Sequence, residues 1–207
     1  MLINFIFGKH IILRLFLLVN VYGIYRYIFN RIKLEMKQKG LMFLGGYKMK
    51  IKAKELTVEN FHIYGDFVDL MNPTGPSLGD FYRDPVHMHV SGNMQMTFSP
   101  LTVHKTEKMI VDTVEYHDYT QEASLCLDDD IILHVAPAGN EPVPELTEAF
   151  FVPKGTLVRI HAGVWHYAAM PVNLETAHVM IVLPERTYKN DCVVVEYTDA
   201  QKVEIEL

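Results

Sequence analysis

Residues 155–166 read GTLVRIHAGVWH, a pattern that predicts a β-strand running into a sharp corner. Apolar and β-branched residues alternate after the first glycine, as they do in strands. Gly163 then provides turn chemistry three residues before a histidine. We therefore expect the corner to present the His166 imidazole to the interior of a sheet, next to Trp165, the single tryptophan of the chain.

The two faces of this predicted strand differ in character. Residues two apart on a strand point to the same side, so Val158 and Ile160 share one face. Arg159 and His161 share the other face. For His161 and His166 the alternative to a functional role is an ordinary histidine packed in the core.

A second group of polar side chains lies upstream. Glu115 and His117 are two residues apart, and Gln121 and Glu122 follow closely. Carboxylate and imidazole groups suit a divalent transition metal, or one acts as a base and the other as an acid. Two strands with inward polar groups would form a site in the mouth of a small β-barrel. The alternative is an exposed polar rim, because residues 118–120 resemble a turn.

Short β-branched or aromatic runs recur along the second half of the chain, and clusters of Gly, Pro, Asn or Asp separate most of them. The runs are 86–90, 94–98, 110–115, 122–127, 131–135, 149–152, 156–160, 177–183 and 192–197. This pattern predicts an all-β, antiparallel sandwich or barrel. One helical turn is expected at 57–61, with Thr57 as its cap, and a hairpin turn at 127–131.

The distribution of charge argues against one class of function. The 207-residue chain has a net charge of −6, which divides into about +7 for residues 1–48 and about −13 for residues 49–207. A body this acidic repels phosphate backbones, so nucleic-acid binding is disfavoured.

Nucleophilic catalysis lacks its usual motifs in this sequence. Cys126 and Cys192 have no catalytic signature, are too few for a disulfide scaffold and lack zinc spacing, which fits a reducing cytoplasm. No serine lies in a nucleophile elbow, and no glycine-rich loop would hold a phosphate. Acid–base or metal-assisted chemistry remains.

Residues 1–48 are predicted to be a translated leader in front of a 49–207 domain. The mostly apolar stretch 11–29 contains Arg14 and Arg26, which oppose membrane insertion. Gly45-Gly46 lies just before Met49, where a ribosome-binding site read as protein would place two glycines, so Met49 is the expected start. A weak membrane anchor at 11–29 is the alternative.

The motifs resemble those of the cupin superfamily. Residues 155–166 resemble its second motif, with His161 where that motif has proline and Met170 where it has asparagine. Residues 115–122 resemble the first motif, with Glu115 replacing its first histidine.

Within the cupins, the chain is most similar to the ureidoglycolate lyase family. The matching motifs are Glu115-x-His117 with Thr120-Gln121, His161-x3-Trp165-His166, Phe61-x2-Tyr64-Gly65-Asp66 and the neighbourhood of Asp191-Cys192. Residues 71–97 do not match, and Tyr167 stands where the family has a second histidine.

This resemblance implies a cupin-type barrel (a jelly roll), assembly as a homodimer, and an enzyme of purine catabolism that cleaves ureidoglycolate to glyoxylate and urea. Glu115 or His117 would act as the base and His166 as the acid. Alternatively, a divalent ion held by His117, Glu122 and His166 would polarise the substrate hydroxyl. The family makes nickel conceivable, although the residues alone do not select a metal.

Four further residues are candidates for substrate binding. They are Gln121, Arg159, His161 and Trp165. Arg159 would hold the substrate carboxylate if its strand parity places it inside, and the alternative is an outward-facing arginine.

Three competing interpretations stay open. His87-Met88-His89 is a rival metal pair, with two imidazoles at i and i+2. The barrel would also suit another metal-dependent cupin, such as a sugar isomerase, with a sugar-like substrate. A third possibility is a non-catalytic cupin that binds a small ligand.

Overall fold

The computed structural model describes residues 49–90 and 92–207, and most of their regular structure is β-strand. The strands are β1 (Met49–Glu55), β2 (Gly65–Asp69), β3 (Ser77–Leu78), β4 (Phe81–Tyr82), β5 (Met96–His104), β6 (Met109–Val111), β7 (Thr113–Tyr116), β8 (Glu122–Cys126), β9 (Ile131–Ala136), β10 (Glu148–Val152), β11 (Thr156–Ile160), β12 (Trp165–His166), β13 (Met170–Pro171), β14 (Thr176–Pro184), β15 (Val193–Glu196) and β16 (Val203–Glu206). Two short helices, α1 (Val58–Phe61) and α2 (Thr187–Asn190), and a 3-10 turn at Pro144–Leu146 complete the set.

Five strands form an antiparallel sheet in the order β2-β11-β8-β14-β5. Strand β11 shows the alternation expected from the sequence, because Val158 and Ile160 belong to a buried core cluster. Phe150 of β10, in the opposite sheet, belongs to the same cluster. The main core therefore lies between the two large sheets.

The second large sheet curls until its ends approach each other. Its order is β15-β7-β12-β9-β10-β1-β16-β6, with β13 paired to β9. Strands β6 and β7 lie near opposite ends of this order, yet only Asp112 separates them in the chain. Because one residue spans only about 3.5 Å, the two ends must lie side by side. The sheet encloses a second cluster, which contains Val114, Ile132 and Trp165.

Strand β12 lies between these two cores. Consecutive strand residues point to opposite faces, so the side chains of Trp165 and His166 enter different cores. Trp165 is fully buried in the second cluster and donates its indole N–H to the Gly139 carbonyl at 3.0 Å. His166 points to the other face of the same sheet.

The predicted all-β barrel with a short N-terminal helix is confirmed. Helix α1 starts after Thr57, whose backbone N–H donates to the Asn60 side chain. The prediction of a strand at 86–90 is wrong. This segment follows Pro85, pairs with no strand, and directs the His89 N–H to the Gln121 side chain at 2.9 Å.

The predicted hairpin at 127–131 is also wrong, because β8 and β9 belong to different sheets. Asp129 stabilises this crossing from one sheet to the other. Its buried carboxylate accepts hydrogen bonds from the backbone N–H groups of Asp130, Asn173 and Leu174 and from the Asn173 side-chain amide. Burial alone would raise the pKa of Asp129, but these donors hold it below the ordinary value of 3.8.

We expect Asp129→Ala to lower the free energy of unfolding by about 2 kcal/mol at pH 7, since it leaves several N–H groups without an acceptor. A lowered pKa in the folded state stabilises the fold above the ordinary pKa, and this contribution is lost as the pH falls through the folded value. Urea unfolding at pH 7 and pH 3 measures the difference. The exposed Asp80→Ala is the control, and an Asp129 effect that grows on acidification would contradict the assignment.

The expectations for residues 1–48, including the leader, the anchor at 11–29 and the start at Met49, lie outside the described residues. Within the described part, no helix has the length and apolar character needed to cross a membrane.

Candidate metal or acid–base centre

Glu115 and His166 meet because their strands pair. Strand β12 joins β7 with His166 directly opposite Glu115, and paired residues project to the same face. This face also carries Val135 of the main core, which is the other partner of His166. The first and second sequence motifs therefore meet inside the barrel, as predicted.

Glu122 completes the group from the opposite sheet. It begins β8, and its Oε2 lies 3.3 Å from His117 Nε2 and 3.6 Å from His166 Nε2. One ligand atom from each of Glu115, His117, Glu122 and His166 falls within 4.8 Å of the other three. Glu115 is half-buried and the other three are buried. We call these four residues the central cluster.

Backbone carbonyls fix the orientation of both imidazoles. His117 Nδ1 lies 2.7 Å from the Asp191 carbonyl oxygen, and His166 Nδ1 lies 2.9 Å from the Val164 carbonyl oxygen. Since carbonyls only accept, each Nδ1 carries the proton. Each Nε2 therefore faces the central cluster, where it can bind a metal or a second proton.

The dipeptide Asp191-Cys192 supports the cluster from outside. The Asp191 carboxylate accepts the backbone N–H groups of residues 118–120 and so holds the turn after His117. The Cys192 thiol donates to Glu115 Oε2 at 3.2 Å, and burial together with this carboxylate raises the pKa of the thiol to about 12. The sequence indicated these residues only through the family resemblance, because their role depends on contacts more than 70 residues apart.

The charges of the cluster are coupled. Burial opposes ionisation of Glu122, but hydrogen bonding and attraction from His117 and His166 outweigh it and lower the pKa of Glu122 to about 2. Burial likewise opposes charging of His166, yet the nearby Glu122 carboxylate raises the pKa of His166 above its ordinary value. The geometry therefore stabilises a carboxylate that faces positive charge.

A cavity of about 340 Å³ opens onto the cluster. Its walls combine the Glu115 and Glu122 carboxylates with hydroxyl groups and apolar side chains. The lining residues beyond the two glutamates are Thr97, Ser99, Pro100, Leu101, Ser124, Tyr167, Ala168, Ala169, Ile181, Leu183, Pro184 and Tyr188. Among the described residues no lysine or arginine lines this cavity, so its fixed charge is negative.

The donor set fits a divalent transition metal. Two imidazole nitrogens and two carboxylates are typical ligands of such ions. The buried His166 Nε2 makes no hydrogen bond of normal length, because its partner Glu122 Oε2 lies 3.6 Å away, so this nitrogen is open to a ligand. A cation would also balance the two carboxylates of the cavity. The four residues can therefore hold a metal ion.

The predicted substrate-binding residues lie apart from the cluster. Arg159 pairs with Ala123, and Glu122 pairs with Ile160, so Arg159 and Glu122 project from opposite faces of the five-stranded sheet. Arg159 therefore faces outward, which is the alternative that the sequence left open, and it cannot hold a substrate carboxylate at the cluster. Because residues two apart on a strand point to the same face, His161 is expected on the same outer side as Arg159.

Gln121 and Trp165 also point elsewhere. Gln121 precedes Glu122, and its side chain accepts the His89 N–H on the outer side. Trp165 lies in the second core, where its ring packs 4.4 Å from that of Tyr116. The fold thus brings together the predicted catalytic and metal residues but not the predicted substrate-binding set.

The rival pair His87 and His89 also lies on the outer side of the five-stranded sheet. Both line a separate cavity with Arg159. In the described part of the chain, the central cluster is the one group of three or more His, Cys, Asp or Glu residues that meets the geometry of a metal site.

We expect Asp191→Ala to weaken binding of Ni²⁺ by 10- to 100-fold, because loss of an outer contact disturbs a ligand about as much as this. The variant frees the turn at 118–120 and so loosens His117. Titration calorimetry measures the affinity, with the exposed Asp80→Ala as the control. Equal affinity of both variants would contradict a supporting role.

Comparison with known proteins gives the chain its family. A search of curated proteins found no match. Among solved structures, the chain is similar to RmlC from Streptococcus suis, solved in complex with dTDP-D-xylose, at 8% identity and a TM-score of 0.33. This similarity covers 44% of this chain and 44% of that protein. The family model described as ureidoglycolate lyase matches residues 48–205. The chain therefore belongs to the ureidoglycolate lyase family.

Proposed function

We propose that this protein is a lyase that cleaves ureidoglycolate to glyoxylate and urea. The observation that carries the proposal is the central cluster, in which Glu115, Glu122 and two imidazoles converge at a cavity of about 340 Å³. Membership of the ureidoglycolate lyase family supports this choice of substrate. The cavity suits a small polar molecule, since hydroxyl groups and carboxylates interrupt its apolar wall.

The reaction needs one proton acceptor and one proton donor. The carbinol hydroxyl loses its proton as the aldehyde C=O forms, the C–N bond breaks, and the departing urea nitrogen gains a proton. No net oxidation or reduction occurs. General acid–base catalysis of this kind contributes about 10²- to 10⁴-fold.

Glu115 is positioned to take the hydroxyl proton. Its carboxylate lines the cavity and is half-buried, whereas His117 and His166 are buried behind it. The thiol of Cys192 holds one oxygen, Oε2, and leaves Oε1 for the substrate.

His166 is suited to supply the second proton. Burial opposes charging of His166, but the Glu122 carboxylate raises the pKa of His166 above its ordinary value, which makes the doubly protonated imidazole easier to form. Glu122 itself lines the cavity, and the His166 Nε2 proton faces its Oε2. The leaving nitrogen would therefore approach the Glu122–His166 pair.

A divalent ion would be held by His117, Glu122 and His166, with Glu115 as a further ligand, and nickel is one candidate. When bound, such an ion supplies Lewis-acid polarisation of the substrate oxygen. The chain still has to orient the substrate, and the hydroxyls of Ser124 and Tyr167 lie in the cavity wall where they can do so.

The test uses the purified full-length chain and ureidoglycolate. Glyoxylate and urea are measured together, after chelation and after addition of Ni²⁺, Mn²⁺ or Zn²⁺. We expect equal amounts of both products, and a loss of about 10²-fold or more in His166→Ala. The matched control is His178→Ala, which removes an exposed imidazole paired with Asp128.

Two outcomes would contradict the proposal. One is that urea is released no faster with the protein than without it, under every metal condition. The other is that His166→Ala and His178→Ala release urea at the same rate. Binding of metal without turnover would favour a non-catalytic cupin.

A further inference from the structure

A second cavity, of about 550 Å³, lies on the outer side of the five-stranded sheet. It combines a cationic group, three imidazoles and an apolar wall. The lining residues are Val58, His62, Gly65, Asp66, Phe67, Pro85, Val86, His87, His89 and Arg159. None of them belongs to the central cluster or to the cavity that opens onto it.

Arg159 gives this cavity its chemistry. The residue is only 6% exposed, although it carries a guanidinium group. Its Nη2 donates to a carboxylate oxygen of Asp66, the strand partner on β2. Its Nε is buried and has no hydrogen-bond partner. A guanidinium has five N–H donors, so a single ion pair leaves it under-satisfied.

Buried polar groups normally have partners, and an exception needs an explanation. Asp66 is a weak partner for so buried a cation, because its own side chain is 49% exposed and therefore well hydrated. A ligand carboxylate in the cavity would supply two acceptor oxygens, which match the planar fork of arginine.

The remaining walls define the rest of the ligand. Val58, Phe67, Pro85 and Val86 provide an apolar surface next to the guanidinium. The exposed imidazoles of His62, His87 and His89 also line the cavity and offer hydrogen-bonding groups. The His89 backbone is held in place by its bond to Gln121.

The charge of the cavity selects a singly charged ligand. Arg159 and Asp66 form an ion pair, so the one permanent positive charge of the cavity lining already has a counter-ion. A doubly charged phosphate would find little compensation, whereas a monocarboxylate can share the guanidinium with Asp66. The charge balance thus favours one carboxylate joined to an apolar body.

We propose that this outer cavity is a second binding site, which takes a small monocarboxylate with an apolar body and holds its carboxylate on Arg159. The site is separate from the proposed lyase centre, because Arg159 and Glu122 project from opposite faces of the sheet. It stands whether or not the chain cleaves ureidoglycolate.

Benzoate is a suitable probe, with benzamide as the neutral isostere and inorganic phosphate as the anion without an apolar body. Binding to the full-length chain is measured by calorimetry and by the ¹⁵N resonance of the Arg159 Nε–H. We expect saturable binding of benzoate with a shift of that resonance, and at least 10-fold weaker binding of benzamide and phosphate.

Four variants locate the binding. Arg159→Lys keeps the charge but loses the fork, so benzoate should bind at least 10-fold more weakly. His87→Ala, on the exposed rim, should weaken binding without unfolding the chain. Asp66→Asn removes the competing carboxylate and should tighten binding. Glu122→Gln, in the other cavity, should leave it unchanged.

Absence of saturable benzoate binding would overturn the proposal. So would equal affinity for wild type, Arg159→Lys and His87→Ala, or loss of binding in Glu122→Gln, which would place the ligand at the central cluster instead. Tighter binding of phosphate than of benzoate would also overturn the assigned ligand class.

Discussion

Glu122→Gln is expected to lower the turnover of ureidoglycolate by about 10²- to 10⁴-fold. The substitution keeps the size of the side chain but removes the negative charge that faces both imidazoles. Without this charge, His166 loses the partner that raises its pKa, so a smaller fraction of it carries the second proton. The cluster also loses one of its anionic metal ligands.

Two measurements separate these effects. Steady-state rates of urea release give the loss of turnover, and titration calorimetry with Ni²⁺ gives the loss of metal affinity. The matched control is Glu107→Gln, which neutralises an exposed carboxylate outside the cluster. Unchanged turnover in Glu122→Gln, or an equal loss in Glu107→Gln, would remove the cluster from the reaction.

Gly65→Ala is expected to have the largest effect on stability, about 3 kcal/mol. A Cβ atom at Gly65 would lie 1.8 Å from the Arg159 carbonyl oxygen, a backbone atom that cannot turn away. Strand β2 must then move away from β11, which weakens the pairing of Gly65 with Ile160 and of Asp66 with Arg159. Overpacking a well-filled site typically costs about 1–3 kcal/mol, and a backbone clash lies at the upper end.

The comparison for this variant is Gly139→Ala. There the nearest atom to an added Cβ is the Glu141 carbonyl oxygen at 3.7 Å, an ordinary contact distance. Thermal and urea unfolding of both variants measure the difference. If Gly65→Ala were as stable as Gly139→Ala, the close approach of β2 to β11 would not exist as described.

Local patterns in the sequence predicted most of the strands. Strand β11 matches its expected range of 156–160, because its β-branched residues alternate between a core and an outer face. The meeting of Glu115 and His117 with His166 was also predictable, since both motifs place polar groups at strand ends. The predicted sharp turn before His166 rested on Gly163. In the structure Gly163 has a positive φ of 81° and donates its N–H to the His117 carbonyl.

Other features needed information that a local pattern lacks. The side chains of Trp165 and His166 point to opposite faces because the two-residue strand β12 lies between two cores. The residues around position 165 do not indicate that a core lies on each side of this strand. The outward direction of the Arg159 side chain depends on which face of the five-stranded sheet packs against the second large sheet, and the sequence around Arg159 does not indicate this. Asp191 supports His117 across 74 positions of the chain, so nothing near His117 indicates it.

The pairing of β1 with β16 has a consequence for biosynthesis. Met49 lies against Val203 and Lys52 lies against Glu206. Strand β1 therefore cannot complete its pairing until β16 has been synthesised. A ribosome delivers residues in order, and β1 emerges long before its partner exists. Contacts so distant in sequence slow folding, because a long loop must close before they form. The growing polypeptide thus leaves one edge of β1 unpaired until residues 203–206 have left the exit tunnel, and an unpaired strand edge at that stage favours aggregation.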